Sequence, residues 1–348
     1  MDTLKIRDIK SPDCAAITKL IRELGNHKGE SDDNLTLTPK DLDRLGFADK
    51  YGPPVFLGVV AEIKESPDAK SPQIVGVALY HVKYSTWEGE AMHLNTFIVS
   101  QKYQRQGIGS KMLCSLAKTA QEKKYLRISL EVIKSNESGL NFFTKHGAIN
   151  LTKEEGWLNY DLDNAAVKKL LEVVNEDKSV RLRPAEPKDC TRIKEMIQEL
   201  ADFEKMEDGP KLTVKDLQRD GFYKLHPVFY SFVAELDDEE TGEVEIIGFS
   251  LLFISFHPFL GKRVHLEDIY VTPKYRARRV GGMLFQAIAR FVEKDGYNGF
   301  SLEVLDWNEK AIQFYDKFGG VNRSIGEKGL QSLRFKHGVI AKLGTENK

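Results

Sequence analysis

The sequence predicts a mixed α/β protein made of two tandem copies of one domain. The two copies are expected to pack against each other rather than drift. Three observations lead there. The chain has 348 residues, long for one domain and comfortable for two. Residues 93–147 align without a gap on residues 265–319, and 17 of the 55 pairs are identical, against roughly 6 % for unrelated soluble sequences. The order of strand-like and helix-like patterns is also the same in both halves.

The repeat reaches beyond that block. IRDIKSPDC at 6–14 echoes LRPAEPKDC at 182–190, LTPKDLDRLGF at 37–47 echoes LTVKDLQRDGF at 212–222, and VFLGVVAEI at 55–63 echoes FYSFVAEL at 229–236. A repeat of this length is a copied domain, not a solenoid unit of 20–50 residues. We place the copies at 1–175 and 180–348. Between them NAAVKKLLEVV reads as a short closing helix and NEDKS as a polar linker.

The elements follow in order. A short strand near Ile6 or Leu182 leads to a helix whose apolar residues recur at helical spacing. Two strands come next, near 55–63 and 74–84 in the first copy and near 229–236 and 245–256 in the second. A further strand, 93–99 or 264–271, runs into a glycine-bearing loop. That loop opens an amphipathic helix with Met112, Leu113, Leu116, Ala117 and Ala120 on one face; Leu284, Ala287, Ile288, Phe291 and Val292 do the same in the second copy. A strand (126–133; 300–305), a helix and a closing strand complete each copy.

Composition narrows the function classes. Charged residues are 30 % of the chain but nearly cancel, at net −1, which argues against a nucleic-acid or polybasic membrane role for the whole. No apolar run reaches the ~18 residues of a membrane span, and MDTLKIRDIK has no signal-peptide core. Cys14, Cys114 and Cys190 are too few and scattered for a disulfide framework, which fits a reducing compartment and makes the cytoplasm the expected location. The eight histidines show no ligand spacing, so no metal is expected.

The chemistry lies in the strand–loop–helix unit. A glycine loop entering a helix N-terminus presents unpaired N–H groups and a positive dipole end, which is a pyrophosphate site. The first copy has YQRQGIGSK at 103–111; the second has YRARRVGGM at 275–283, where Arg279 takes the place of Gly107. A bulky residue there should crowd the turn, whereas Arg276, Arg278 and Arg279 supply positive charge.

The pattern Gln104-x-x-Gly107-x-Gly109, followed by the strand ending Glu131–Val132 and the helix opening at Asn136, resembles the acetyl-CoA loop and second motif of the GNAT acetyltransferase superfamily. WNEKAIQFYDKFGG at 307–320, EEGW at 154–157 and the LED triplet at 266–268 make both halves most similar to the spermidine/spermine (diamine) acetyltransferases. The resemblance implies that each copy is a central, mostly antiparallel sheet flanked by helices, with the two packed as an intramolecular pseudo-dimer, and it implies direct acetyl transfer from acetyl-CoA to a primary amine of a polyamine, diamine or lysine-like small molecule. It assigns cofactor contacts to Gln104, Arg105, Gly107 and Gly109 in the first copy. In the second copy it assigns them to Ile269, Val271, Arg276, Arg279, Gly281, Gly282 and Asn308. Such a transfer needs a base, because the amine is protonated at pH 7. It also needs an acid for the leaving thiolate and a backbone N–H for the oxyanion.

By that resemblance the second copy keeps the base, Glu267, and the acid, Tyr315, which falls two helical turns after Asn308. Strand alternation is expected to put Asp268 on the face opposite Glu267. Glu204, Glu207 and Asp268 are assigned to the cationic acceptor. Asn308 also reads as a plain helix N-cap. In the first copy Asn95 and Phe143 replace base and acid, and Lys28 stands where Glu204 stands, while the glycine loop is intact. Alternatives left open are a CoA-binding pseudoenzyme and a protein lysine or N-terminal acetyltransferase.

Overall fold

The computed structural model describes residues 4–28, 36–47, 52–64, 71–173, 177–206, 209–237 and 243–345. The first half contains β1 (Lys5–Asp8), α1 (Cys14–Lys28), α2 (Pro39–Gly46), β2 (Leu57–Ile63), β3 (Gln73–Ser85), β4 (Gly89–Val99), α3 (Ile108–Glu122), β5 (Arg127–Ile133), α4 (Glu137–Lys145), β6 (Ile149–Asn150), α5 (Leu151–Glu154), β7 (Trp157–Leu162) and α6 (Asn164–Glu172). The second contains β8 (Val180–Pro184), α7 (Cys190–Phe203), α8 (Val214–Gln218), β9 (Tyr230–Asp237), β10 (Val244–His257), β11 (Gly261–Val271), α9 (Val280–Lys294), β12 (Phe300–Leu305), α10 (Glu309–Lys317), β13 (Val321–Asn322), β14 (Leu330–Lys336) and α11 (His337–Thr345).

Local chemistry repeats with the sequence. Thr38 and Thr213 each accept a hydrogen bond from the backbone N–H three residues on, and Asp41 and Asp216 bond back, so both copies open the equivalent helix with a capping box. The predicted faces of the loop-borne helices are buried, except that Phe291 is half-buried. All three cysteines are buried free thiols.

Two seven-stranded sheets result, ordered β1-β2-β3-β4-β5-β14-β6 and β8-β9-β10-β11-β12-β7-β13. Only β4–β5 and β11–β12 are parallel; the other pairs are antiparallel. The closing strands are exchanged. β7, from the first sequence copy, pairs with β12 and β13 in the second sheet, and β14 pairs with β5 and β6 in the first. The helices after them follow: Ala166, Val167 and Leu170 of α6 are buried with Phe285 and Ile288, while Ile340 and Leu343 of α11 are buried with Met112 and Leu116. The segment expected to close the first copy therefore closes the second sheet, and residues 174–176 of the linker lie outside the described residues.

The long hairpins reinforce the exchange. Phe256 at the tip of β10 packs on Phe56 of the first half, with ring centroids 4.5 Å apart. Its counterpart Tyr84 packs on Phe229 of the second at 4.7 Å. Both tips are fully buried in the other half's core.

Candidate active site

The second-half site is built on a β-bulge. Along β10–β11, Leu251 faces Asp268 and Leu252 faces Leu266, so Glu267 is the extra residue. Leu266 packs under α9 beside Phe285, and Ile269 also packs on that side. The alternation has slipped by one, and Glu267 and Asp268 both face away from α9. This corrects the expectation that they lie on opposite faces. The first half repeats the bulge, with Asn95 as the extra residue between Leu94 and Thr96.

Pairing between β11 and β12 runs only from Val264 to Leu266. Beyond it the strands splay, leaving Ile269 and Val271 without a β12 partner on that side. Tyr315 projects from α10 and is buried against Phe285, Phe314 and Tyr160, the last from exchanged strand β7. Burial first, then the charges of Glu204 and Asp268, push its phenol pKa up, so the hydroxyl stays protonated. Glu204 is the C-cap of α7. Burial and the charge of Glu267 push it up to about 7, in the direction that a helix C-terminus also favours.

Burial raises the Glu267 carboxyl, and Lys83 and Arg127 of the first half act against that. Burial and then Glu267 raise Asp268, while the Thr86 hydroxyl favours its charged form. Thr86 Oγ1 and Asp268 Oδ2 are nevertheless both buried without a hydrogen bond of normal geometry. Three carboxyls that feel one another's charge, beside a protonated phenol, have the chemistry to attract a cation and to exchange protons. The first-half contributors Thr86, Tyr160, Lys83 and Arg127 were not singled out in the sequence. They lie more than a hundred residues from Glu267; Tyr160 arrives on exchanged β7, and the other three when the two halves pack together. Glu207 lies outside the described residues, and so does the Lys28 side chain.

The loop preceding α9 answers the question raised by Arg279. Gly107 adopts φ 79° at the N-terminus of α3, and Arg279 adopts φ 61° at the N-terminus of α9. Arg105 and Ala277 are likewise left-handed, at 61° and 68°. The arginine accepts the glycine conformation and the turn is intact. The lead residues match too: Gln104 Nε2 donates to the Val99 carbonyl at 2.9 Å and Arg276 Nε to the Val271 carbonyl at 3.0 Å, each tying its loop to the preceding strand. Arg278, expected among the phosphate-facing charges, is instead bonded to Asp177 and Ser179.

A cavity of about 340 Å³ lies against this loop, lined by Val271, Arg276, Arg279, Gly281, Gly282 and Phe314 among others. A Cβ at Gly281 would come within 3.6 Å of the Phe314 ring. These backbone N–H groups, the helix end and Arg279 fit a pyrophosphate. Asn308 caps α10 by accepting from Ala311 N–H at 3.3 Å, so its carbonyl oxygen is committed to the helix. Around the first-half loop, Phe97, Phe142 and Phe143 cluster with centroids 5.1–5.6 Å apart. Ser110 at the place of Gly282 bonds His146 at 3.0 Å. Among the described residues no group of three His, Cys, Asp or Glu is placed to hold a metal ion, and no helix is long and apolar enough to cross a membrane.

Comparison with known proteins agrees with this geometry. The acetyltransferase (GNAT) family model matches residues 33–148 and 194–320, more than half of the chain. A thialysine N-epsilon-acetyltransferase of Mus musculus is 36 % identical over 168 residues, which cover 47 % of this chain and 97 % of that protein. A spermidine/spermine N(1)-acetyltransferase-like protein of Homo sapiens is 35 % identical over 157 residues, 45 % of this chain and 22 % of that one. A solved tandem GNAT protein from the clavulanic acid biosynthesis pathway shares the fold across 96 % of this chain and 98 % of its own, with TM-score 0.51 and 13 % identity. The chain belongs to the GNAT acetyltransferase family, as a tandem N-acetyltransferase.

Proposed function

We propose that the second-half site transfers acetyl from acetyl-CoA directly to the primary amine of a polyamine, diamine or lysine-like small molecule. The observation that carries this reading is the bulge, which sets Glu267 and Asp268 on one face, where Glu267 acts on Glu204 and both Asp268 and Glu204 act on Tyr315 beside the splayed edge. Acetyl-CoA supplies the activated acyl group. The loop before α9, with Arg279, Gly281 and Gly282, binds its pyrophosphate, and the splayed edge at Ile269 and Val271 supports its pantetheine arm and the developing oxyanion. Glu204 and Asp268 attract the protonated acceptor. Glu267, made more basic by burial, takes the proton that the ammonium must lose before attack. Tyr315, with its proton held, supplies one to the departing thiolate.

In the first half Asn95 takes no proton. Its amide donates to the Phe256 carbonyl at 2.6 Å and its oxygen meets His81 Nδ1 at 2.8 Å. That half completes the second site structurally, and its retained cradle at Gln104, Arg105, Gly107 and Gly109 is a second, non-productive CoA site. Calorimetry of the full chain is expected to give two CoA equivalents, with Gly107→Asp removing one.

The test of the transfer is labelled acetyl-CoA with a panel of polyamines, ornithine, lysine and thialysine. Acetylation of at least one is expected, with Glu267→Gln plus Tyr315→Phe lowering kcat by about 10²–10⁴-fold. Unchanged turnover in the double variant removes the assignment of both residues.

A further inference from the structure

Between the two sheets lies a second cavity, of about 400 Å³, whose lining includes neither Glu267, Glu204 nor Tyr315. It is the gap across which strand exchange brings two polar faces together. On the first sheet Ser129 and Glu131 of β5 pair with Arg334 and Ser332 of β14, so all four share one face. On the second sheet the matching positions are Ser301 and Glu303 of β12 against Asp161 and Asn159 of β7. Asn159 Nδ2 donates to Ser332 Oγ at 3.0 Å, and Ser332 Oγ donates to Glu303 Oε1 at 3.1 Å, which stitches the faces together at one end.

The two faces differ in charge satisfaction. In the second sheet Asp161 is paired with Arg263, and Glu303 has Lys83 at 3.8 Å. In the first sheet Arg334 stands at the place of Asp161, while Ala91 stands at the place of Arg263. Arg334 makes no ion pair within 4 Å among the described residues, and its Nε is buried without a hydrogen-bond partner. Burial and then the neighbouring Arg127 push its pKa down, and the charges of Glu303, Glu155 and Glu88 offset this only in part. Glu131 is the opposite charge on the same face. Its nearest partner is His93 at 3.5 Å, and 35 % of its side-chain surface is accessible. Burial disfavours its charge, but His93 and Lys83 more than offset that and keep it a carboxylate. Burial and Lys83 lower His265 to about 3, so it lines the gap as a neutral ring.

An under-compensated buried guanidinium is costly unless something meets it. Here a carboxylate of the fold stands on the same face and does not pair with it. We infer that this inter-sheet cavity, which adjoins Glu267 through His265 at 4.0 Å but is not lined by Glu204 or Tyr315, is a second small-molecule site that takes an α-amino-acid zwitterion. The ligand's carboxylate is received by Arg334 and its ammonium by Glu131, with Ser129 and Ser332 as neutral hydrogen-bonding neighbours. Leu151, Leu330 and Phe259 line the same gap and receive an uncharged side chain. The volume is in the range of ordinary ligand pockets. A polyamine lacks the carboxylate that Arg334 needs, so this site reads a different molecule from an all-cationic acceptor.

The test is calorimetric titration of the full chain, without acetyl-CoA, against the proteinogenic α-amino acids, each at millimolar concentration. At least one is expected to bind, and its amide and its deamino acid to bind at least tenfold more weakly. Arg334→Met and Glu131→Gln should each weaken it at least tenfold, and Tyr315→Phe, whose side chain does not line the cavity, should bind it unchanged. The analogue comparison needs no variant and stands even if Arg334→Met does not fold. Absence of binding by every amino acid overturns the inference. So does binding that the amide retains, or that is lost in Tyr315→Phe. Failure here leaves the transfer reading intact, because no step of this test measures acetylation.

Discussion

Glu204 shows how much a single residue owes to its surroundings. A carboxyl at the end of α7, buried and facing Glu267, titrates near pH 7 instead of near the usual ~4.3. Acceptor capture should therefore depend on pH: KM for a cationic amine falls as pH rises through 7, and Glu204→Gln flattens that profile while raising KM. The same shift carries a stability cost with a definite sign. The native state binds the proton more tightly than the unfolded chain, so stability is lost as pH rises from about 4 through 7. Thermal melts of the free protein should show Glu204→Gln gaining on the wild type between pH 5 and 8, by at most about 3 kcal/mol; no gain would mean the carboxyl is not desolvated.

Arg279 gives the second residue-scale prediction. Its left-handed φ costs about 1 kcal/mol, and a glycine there would cost a similar amount in unfolded-chain entropy. Arg279→Gly is thus expected to leave the melting temperature nearly unchanged. Because the turn is already formed with arginine in place, the side chain is free to meet phosphate, and acetyl-CoA binding measured by calorimetry should weaken by about 1.5–3 kcal/mol. Tighter binding would show that the arginine obstructs the cradle.

At the scale of elements, β14 and α11 have the larger consequence. They end the second sequence copy but bury Leu333, Phe335, Ile340 and Leu343 in the first half's core. Phe335 is fully buried, and Phe335→Ala should cost about 3–5 kcal/mol. Hydrogen exchange would locate that loss: β5 and α3 are expected to lose protection before β12 and α9. The reverse order would contradict the exchanged pairing. The elements themselves were largely readable. The strands at 74–84 and 300–305 and the helices after both loops follow from strand-like runs bounded by turn residues and from helical spacing; the short helices that Thr38 and Thr213 open were not read from the sequence. Nor were the bulges at Asn95 and Glu267, because a bulge leaves no mark in the apolar pattern. Only the register with the neighbouring strand reveals it, and it moved Asp268 onto the face of Glu267.

For the whole molecule, exchange makes the two copies interdependent. Residues 1–178 alone lack β14 and leave β5 with an unpaired edge. Residues 179–348 alone lack β7 and leave β12 the same way. Each fragment is expected to aggregate or dimerise when expressed alone, and the pair to recover a soluble complex when refolded together; a soluble, cooperatively melting monomer from either fragment would refute this. What the sequence alone determined is local or internal to one copy: the duplication, most of the α/β elements, and the glycine-bearing loops and acidic and phenolic residues for which the roles above are proposed. What tertiary structure decided is which sheet each closing strand joins, and so which first-half residues stand beside Glu267 and Tyr315. The physical reason is that strand pairing is made by backbone hydrogen bonds common to both copies. β7 and β14 occupy equivalent places in the two copies, so the sequence does not mark which sheet each joins; that is set when hairpins, helices and both sheets pack together.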